Sequence, residues 1–158
     1  MVRILGYVAR GLLALCLLAF VTVAQSVAGE TMRVNVDSDR VAIQGYDTVA
    51  YFTEGGPAKG LAEFEHDWQG AKWLFATAEH RDLFAADPEK YAPRFGGFCA
   101  MGSSMGVQAS VDPQAWAIVD DKLYLTHSPA ALAKFKVDTL SHIAKAETFW
   151  ETTVLGNN

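Results

Sequence analysis

The chain has 158 residues, of which 51% are hydrophobic and 20% are charged, and its formal net charge is −5 at pH 7. This length fits one domain, and the ordinary composition excludes a disordered chain and a collagen-like chain. The acidic balance disfavours nucleic-acid binding, which normally uses a basic surface, and two cysteines are too few for a disulfide scaffold.

The first 28 residues have the pattern of a secretory signal peptide. Arg3 and Arg10 give a basic start, residues 11–24 are an uncharged apolar run, and Ser26 and Ala28 are small residues where signal peptidase prefers them. The run is shorter than the roughly 20 residues of a membrane span. We therefore expect cleavage after Ala28, a periplasmic or secreted protein, and no stable membrane insertion afterwards. Retention as an uncleaved anchor is the alternative.

Removal of this leader changes both the charge and the cysteine count. Residues 29–158 contain 11 of the 13 basic side chains and all 18 acidic ones, so their formal net charge is −7. Of the two cysteines, Cys16 lies in the leader and Cys99 lies in residues 29–158. A single cysteine cannot close an intramolecular disulfide, so Cys99 is buried and inert, reactive, a metal ligand, or paired between two chains of a homodimer.

Residues 32–126 show short strand patterns separated by turn residues. Alternating or β-branched residues predict the following strands: 32–36, 48–52, a hairpin of 64–68 with 72–76, and a second hairpin of 115–119 with 122–126.

Helices are predicted where capping residues precede apolar periodicity. Thr77 is the expected N-cap of a helix over 78–86, which ends at Asp87-Pro88 and is followed by a short turn over 88–91. A last helix is predicted from Ser128-Pro129 towards Val154. Its buried face is expected to contain Leu132, Phe135, Leu140, Ile143 and Trp150. No internal repeat is evident, and the pattern predicts an α+β fold with a small antiparallel sheet and packed helices.

Residues 70–91, GAKWLFATAEHRDLFAADPEKY, resemble the YHS domain. The matching residues are Gly70, Phe75, Phe84, Pro88, Lys90 and Tyr91. With Gly-Tyr-Asp-Thr-Val-Ala-Tyr-Phe at 45–52 and Gly-Gly-Phe-Cys at 96–99, the chain is similar to an exported YHS-domain subgroup, some members of which are described as selenoproteins. The resemblance implies a YHS-like domain over 29–158, with its motif core at about 41–106.

The chain departs from the cysteine-rich YHS pattern at its metal site. The two cysteines of the family's Cys-x-x-x-Cys pair are replaced by Ala76 and His80, and the earlier cysteine of that pattern is also missing. The metal site of those modules therefore cannot be transferred to this chain. His80 alone keeps a side chain that can bind a metal.

Five residues are candidate ligands of a transition metal, with copper first: Cys99, His66, Met101, His80 and Asp47. Thiolate, thioether and imidazole groups suit soft and borderline metals, and a carboxylate can ligate or orient a histidine. Each residue also has an ordinary alternative role. Cysteine and methionine fill cores, histidine forms hydrogen bonds at surfaces, and aspartate caps turns.

The sequence thus predicts an exported YHS-type protein that binds a metal ion or another small molecule, without an assigned enzymatic activity. In a second interpretation it is a thiol redox protein in which Cys99 is the reactive group and His66 or Asp47 tunes it. In a third it is a binding module without chemistry, and Cys99 is structural.

Overall fold

The computed structural model describes residues 32–156, and the predicted leader at 1–28 lies outside them. Within these residues the fold is α+β, as predicted, with six α-helices. The strands form three separate two-stranded antiparallel sheets rather than one small sheet. No helix in this part of the chain is long and apolar enough to cross a membrane.

The strands are β1 (Tyr46–Asp47), β2 (Ala58–Lys59), β3 (Leu61–Trp68), β4 (Ala71–Phe75), β5 (Asp112–Val119) and β6 (Lys122–Thr126). The helices are α1 (Ala50–Thr53), α2 (Ala78–Ala86), α3 (Pro88–Tyr91), α4 (Ala100–Ser103), α5 (Pro129–Val137) and α6 (Thr139–Phe149). Short 3-10 turns lie at Ile43–Gly45 and Arg94–Gly97, and a π-helical turn over Trp150–Leu155 follows α6.

Both predicted hairpins form, and the backbone conformation of their turns favours the pairing of the strands. β3 pairs with β4 around Gln69 and Gly70, and β5 pairs with β6 around Asp120 and Asp121. All four turn residues have positive φ, between 49° and 69°. Two-residue turns of this kind match the right-handed twist of the strands that they join.

The two hairpins belong to an internal structural repeat with a spacing of 51 residues. β5 begins 51 residues after β3, β6 begins 51 after β4, and α5 begins 51 after α2. The strand registers agree residue by residue, including the irregularity near the start of each hairpin. The prediction that the chain has no internal repeat was wrong because the two copies share a backbone pattern and few identical side chains.

The caps of the helices repeat as well. Thr77 and Ser128 each accept a hydrogen bond from the backbone N–H three residues later and begin α2 and α5. Asp87 and Asp138 end those helices and cap the next ones, with φ of −151° and −146°. The predicted N-caps are confirmed, and the single last helix is in fact two helices that meet at Asp138.

Three other expectations were wrong. Residues 48–52, predicted as a strand from their β-branched and aromatic content, include the start of α1, because the Asp47 carboxylate accepts from the N–H groups of Val49 and Ala50 and stabilises the turn that leads into the helix. Residues 32–36 contribute one isolated bridge, from Val36 to Ala42. Leu140, expected on a buried face, is 70% exposed, since α6 restarts at Thr139 with a new orientation.

The core consists of two clusters of buried residues. In the larger one Phe84 is the centre of an aromatic group, with ring centroids 5.0 Å from Trp73 and 5.0 Å from Phe75. The smaller cluster contains Phe135, which is the repeat counterpart of Phe84, together with Tyr124. Each hairpin therefore packs against the helix that follows it, and a buried phenylalanine on that helix fills the space between them.

Tyr51 joins the two halves of the repeat. Its side chain is 1% exposed, its hydroxyl donates a 2.8 Å hydrogen bond to the carbonyl of Pro113, and its ring meets Trp116 edge-on at 5.2 Å. Burial, with smaller contributions from Tyr46, Asp112 and Asp47, raises the pKa of Tyr51 well above its ordinary value. The phenol is therefore held in its neutral form.

We expect the free energy of unfolding to fall as the pH rises above about 10, where a tyrosine in the unfolded chain loses its proton. The folded protein keeps the Tyr51 proton to higher pH, so it binds more protons than the unfolded chain and loses stability as pH increases. Urea titrations between about pH 8 and about pH 11 measure this slope, and Tyr51→Phe should flatten it. Equal slopes for both proteins would contradict this origin of the alkaline sensitivity.

Candidate functional site

The carboxylate of Asp47 is fully buried and accepts three backbone hydrogen bonds. Oδ1 accepts from the N–H groups of Val49 at 2.9 Å and Ala50 at 3.2 Å, and Oδ2 accepts from the N–H of Ala76 at 2.8 Å. The first two bonds begin α1. The third ties this helix to the residue that follows β4, so Asp47 caps a turn, one of the two roles expected for it.

His80 completes the environment of Asp47. Its Nδ1 lies 2.6 Å from Asp47 Oδ2, and the residue is only 7% exposed, so His80 does not have the surface role that was its ordinary alternative. Its Nε2 lies 3.1 Å from Thr53 Oγ1 and 3.8 Å from Glu54 Oε1, both on exposed residues. A carboxylate on one ring nitrogen fixes the orientation of an imidazole and leaves the other nitrogen for chemistry.

Cys99 lies in the second half of the repeat, with a sulfur atom that accepts two main-chain hydrogen bonds. Sγ is 3.3 Å from the N–H nitrogen of Gly102 and 3.2 Å from that of His127, and the residue is 2% exposed. The first bond makes Cys99 the N-cap of α4. The thiol is therefore buried, but it has polar partners, and both are backbone donors rather than imidazole groups.

Asp47 and Cys99 have similar surroundings in the two halves of the repeat, although they are 52 positions apart rather than 51. Each precedes a four-residue helix and accepts from the N–H three residues later, at Ala50 and Gly102. Each also accepts from the residue that follows the second strand of its hairpin. These residues are Ala76 and His127, which are 51 positions apart. A pair of donors that holds a carboxylate in the first half thus holds a sulfur atom in the second.

The remaining predicted ligands have core contacts. His66, in β3, is half-buried with its ring 5.9 Å from that of Phe84. Met101 packs against the core, and its sulfur lies 3.9 Å from Ser104 Oγ. Of the five predicted ligands the structure joins Asp47 to His80. Across residues 32–156 there is no group of three or more His, Cys, Asp or Glu side chains that could hold a metal ion.

The glycine pair before Cys99 lets another segment of the chain approach its backbone closely. Gly96 and Gly97 have φ of 59° and 78°, and a Cβ on Gly96 would overlap the carbonyl of Arg33. Asn35 also donates to both glycine carbonyls, with its backbone N–H at 2.8 Å and its side-chain amide at 3.0 Å. The pair therefore lets the segment at 33–35 pack onto the loop that carries Cys99.

Sequence reasoning missed the donors at both sites. Asp47 followed by a helix three residues later is an N-cap pattern, so its bond to Ala50 had a sequence signal. The N–H groups of Ala76 and His127 have none, because any residue other than proline supplies a backbone donor. Thr53 and Glu54 approach His80 only through the fold.

No protein-family model, curated protein or solved structure matches the chain. The resemblance to the YHS domain thus rests on its motif residues, and these have structural roles here. Gly70 forms the first hairpin turn, Phe75 and Phe84 fill the core, and Pro88 begins α3. The amine of Lys90 lies 4.9 Å from the centre of the Tyr91 ring.

We expect Asp47→Ala to lower the free energy of unfolding by about 3 kcal/mol or more, because three backbone donors and His80 would lose a buried acceptor. Urea denaturation followed by circular dichroism measures the loss. Asp138→Ala is the matched control, since that exposed aspartate caps only the N–H of Ser141, and the loss should be near the usual cap value of about 1 kcal/mol. Equal losses would show that the Asp47 network adds nothing beyond a cap.

Proposed function

We propose that this chain is an exported thiol redox protein of YHS type in which Cys99 reacts as a thiolate with a small hydroperoxide. The observation that carries the proposal is the pair of backbone N–H groups, from Gly102 and His127, that point at Sγ. Donors of this kind stabilise negative charge on their acceptor, and the thiolate is the nucleophilic form of cysteine. The equivalent donors around Asp47 hold the oxygens of a carboxyl group, which supports this interpretation.

The burial of Cys99 favours a small oxidant. At 2% exposure Cys99 is too buried for a protein disulfide to reach, so the proposal requires an oxidant as small as a hydroperoxide. The sulfur attacks the terminal peroxide oxygen, an S–O bond forms, the O–O bond breaks, and the alkoxide leaves and takes a proton from water. The peroxide is reduced to an alcohol, and the cysteine is oxidised by two electrons to a sulfenic acid.

The return to the thiol requires an external reductant of the low-molecular-weight thiol class. Once the leader with Cys16 is removed, no second cysteine is left to resolve the sulfenic acid. One thiol condenses with the sulfenic acid to a mixed disulfide and releases water. A second thiol displaces Cys99 and leaves as the disulfide of the two small thiols.

The test is the rate of sulfenic acid formation at Cys99 with hydrogen peroxide at about pH 6, with dimedone as the trap and mass spectrometry as the readout. We expect the folded protein to react at least about tenfold faster than the urea-unfolded protein, because only the fold supplies the two donors to the thiolate. Cys99→Ser should give no adduct. Met101→Leu should leave the rate unchanged and removes a neighbouring methionine that peroxide also oxidises.

A thiol that reacts faster in urea than in the folded protein would contradict the proposal. It would support instead the interpretation of Cys99 as an inert core residue that caps α4.

A second proposal is that the chain binds a transition metal, copper before any other, and one observation favours it. Asp47 holds Nδ1 of His80, so Nε2 is the nitrogen available to a metal ion, and Glu54 and Thr53 lie beside it. In this arrangement Asp47 supports the ligand rather than binding the metal itself. These side chains provide fewer donors than the four of a closed tetrahedral site, so they fit a weakly held and exchangeable ion.

Copper titration of the wild-type protein, His80→Gln and Cys99→Ser distinguishes the two possible positions. We expect His80→Gln to weaken binding by tenfold or more and Cys99→Ser to leave it unchanged, since a ligand and its ordering carboxylate contribute this much affinity. The reverse pattern would place the metal at Cys99. Equal binding by all three proteins would exclude both residues as ligands.

A further inference from the structure

A cleft of about 310 Å³ lies away from both sites, between the first hairpin turn, the loop after α3, the C-terminal turn and the segment at 33–34. Neither Cys99 nor His80 is among the residues that line it. Its volume is at the lower end of the range for small-molecule sites. The cleft therefore has room for a small metabolite rather than a cofactor.

Aromatic rings form much of its wall. Three of the four tryptophans of the chain, Trp68, Trp73 and Trp150, line the cleft together with Phe95. Trp68 and Trp73 lie with ring centroids 5.7 Å apart, and Trp150 is 6.2 Å from Phe95. Indole faces attract ammonium and quaternary ammonium groups more strongly than other aromatic rings do. Trp73 and Phe95 are buried, so the half-buried rings of Trp68 and Trp150 are the part of the wall that suits an organic cation.

Charges of both signs complete the lining. The carboxylates are those of Glu89, Glu147 and Glu151, and the guanidinium groups are those of Arg33 and Arg94. The excess of carboxylates agrees with a cationic group on the ligand. The two arginines would repel a simple cation, however, so a ligand that carries a negative group as well fits the lining better.

Arg94 has a donor that needs an acceptor. Its Nε is buried and makes no hydrogen bond with any described residue, and its Nη2 approaches Glu147 Oε1 only to 3.9 Å. The Nε has no surface that a ligand could reach, but the side chain as a whole is 41% exposed and its Nη2 is beyond hydrogen-bond distance of Glu147. The terminal N–H groups can therefore bind a ligand carboxylate, for which arginine is the best-suited side chain.

We propose that this cleft binds a small zwitterion of the amino-acid or betaine class. The ammonium group of the ligand lies against the rings of Trp68 and Trp150 and the glutamates, and its carboxylate accepts from Arg94. This inference does not depend on the redox or metal proposals, because the cleft shares no residue with either site.

The experiment is calorimetric titration of the purified protein with three probes of similar size. These are glycine betaine, which carries both charges, tetramethylammonium, which carries only the positive one, and pivalate, which carries only the negative one. We expect glycine betaine to bind at least tenfold more tightly than either singly charged probe. Absence of betaine binding, or equal affinity for betaine and tetramethylammonium, would overturn the proposal.

Two substitutions test the assigned ends of the ligand. Arg94→Gln should lower the affinity for glycine betaine by about tenfold and leave the affinity for tetramethylammonium undiminished, since only the carboxylate contact is lost. Glu147→Gln should lower the affinity for both of these probes. The matched controls are Arg81→Gln and Glu79→Gln, which lie on α2 outside the cleft. If Arg94→Gln binds betaine as the wild type does, the orientation of the ligand is wrong and the proposal fails.

Discussion

The buried carboxylate of Asp47 is the constraint on which the first half of the molecule depends. A carboxylate removed from water is strongly unfavourable unless its oxygens accept several hydrogen bonds. Asp47 accepts from the start of α1 and from the residue after β4, and it meets His80 of α2. One side chain therefore fixes the relative positions of two helices and a hairpin. The strand predicted over 48–52 becomes a helix because this carboxylate satisfies the first N–H groups.

In the second half, a sulfur atom accepts the hydrogen bonds that the Asp47 carboxylate accepts in the first. Cys99 begins a short helix and accepts from the residue after its hairpin, as Asp47 does. The residue 51 positions after His80 is Ala131, so the sulfur has no imidazole beside it on the equivalent helix. The repeat thus separates the cysteine and the histidine that the sequence suggested as one Cys/His site. A histidine ordered by a carboxylate belongs to one half, and a thiol held by amides belongs to the other.

The parts of the fold that could be predicted are those set by local chemistry. Turns such as Gln69-Gly70, caps such as Thr77 and Ser128, and the proline that begins α3 act within a few residues, so they appear in the sequence. The distant donors to Asp47 and Cys99 are the N–H groups of Ala76 and His127, which lie 29 and 28 residues away and have no side-chain signature. The repeat was missed for a related reason. Its copies conserve hydrogen-bond geometry, whereas their surface and core side chains differ.

The division of the strands into three separate pairs has a consequence for self-association. A two-stranded sheet leaves an outer row of unpaired N–H and C=O groups on which another chain could add a strand. On β3 the exposed residues Glu63, Glu65 and Asp67 alternate along that row. A second copy of β3 laid beside it would bring like charges into register, and such contacts are repulsive. The acidic residues of this strand therefore disfavour edge-to-edge aggregation through charge repulsion.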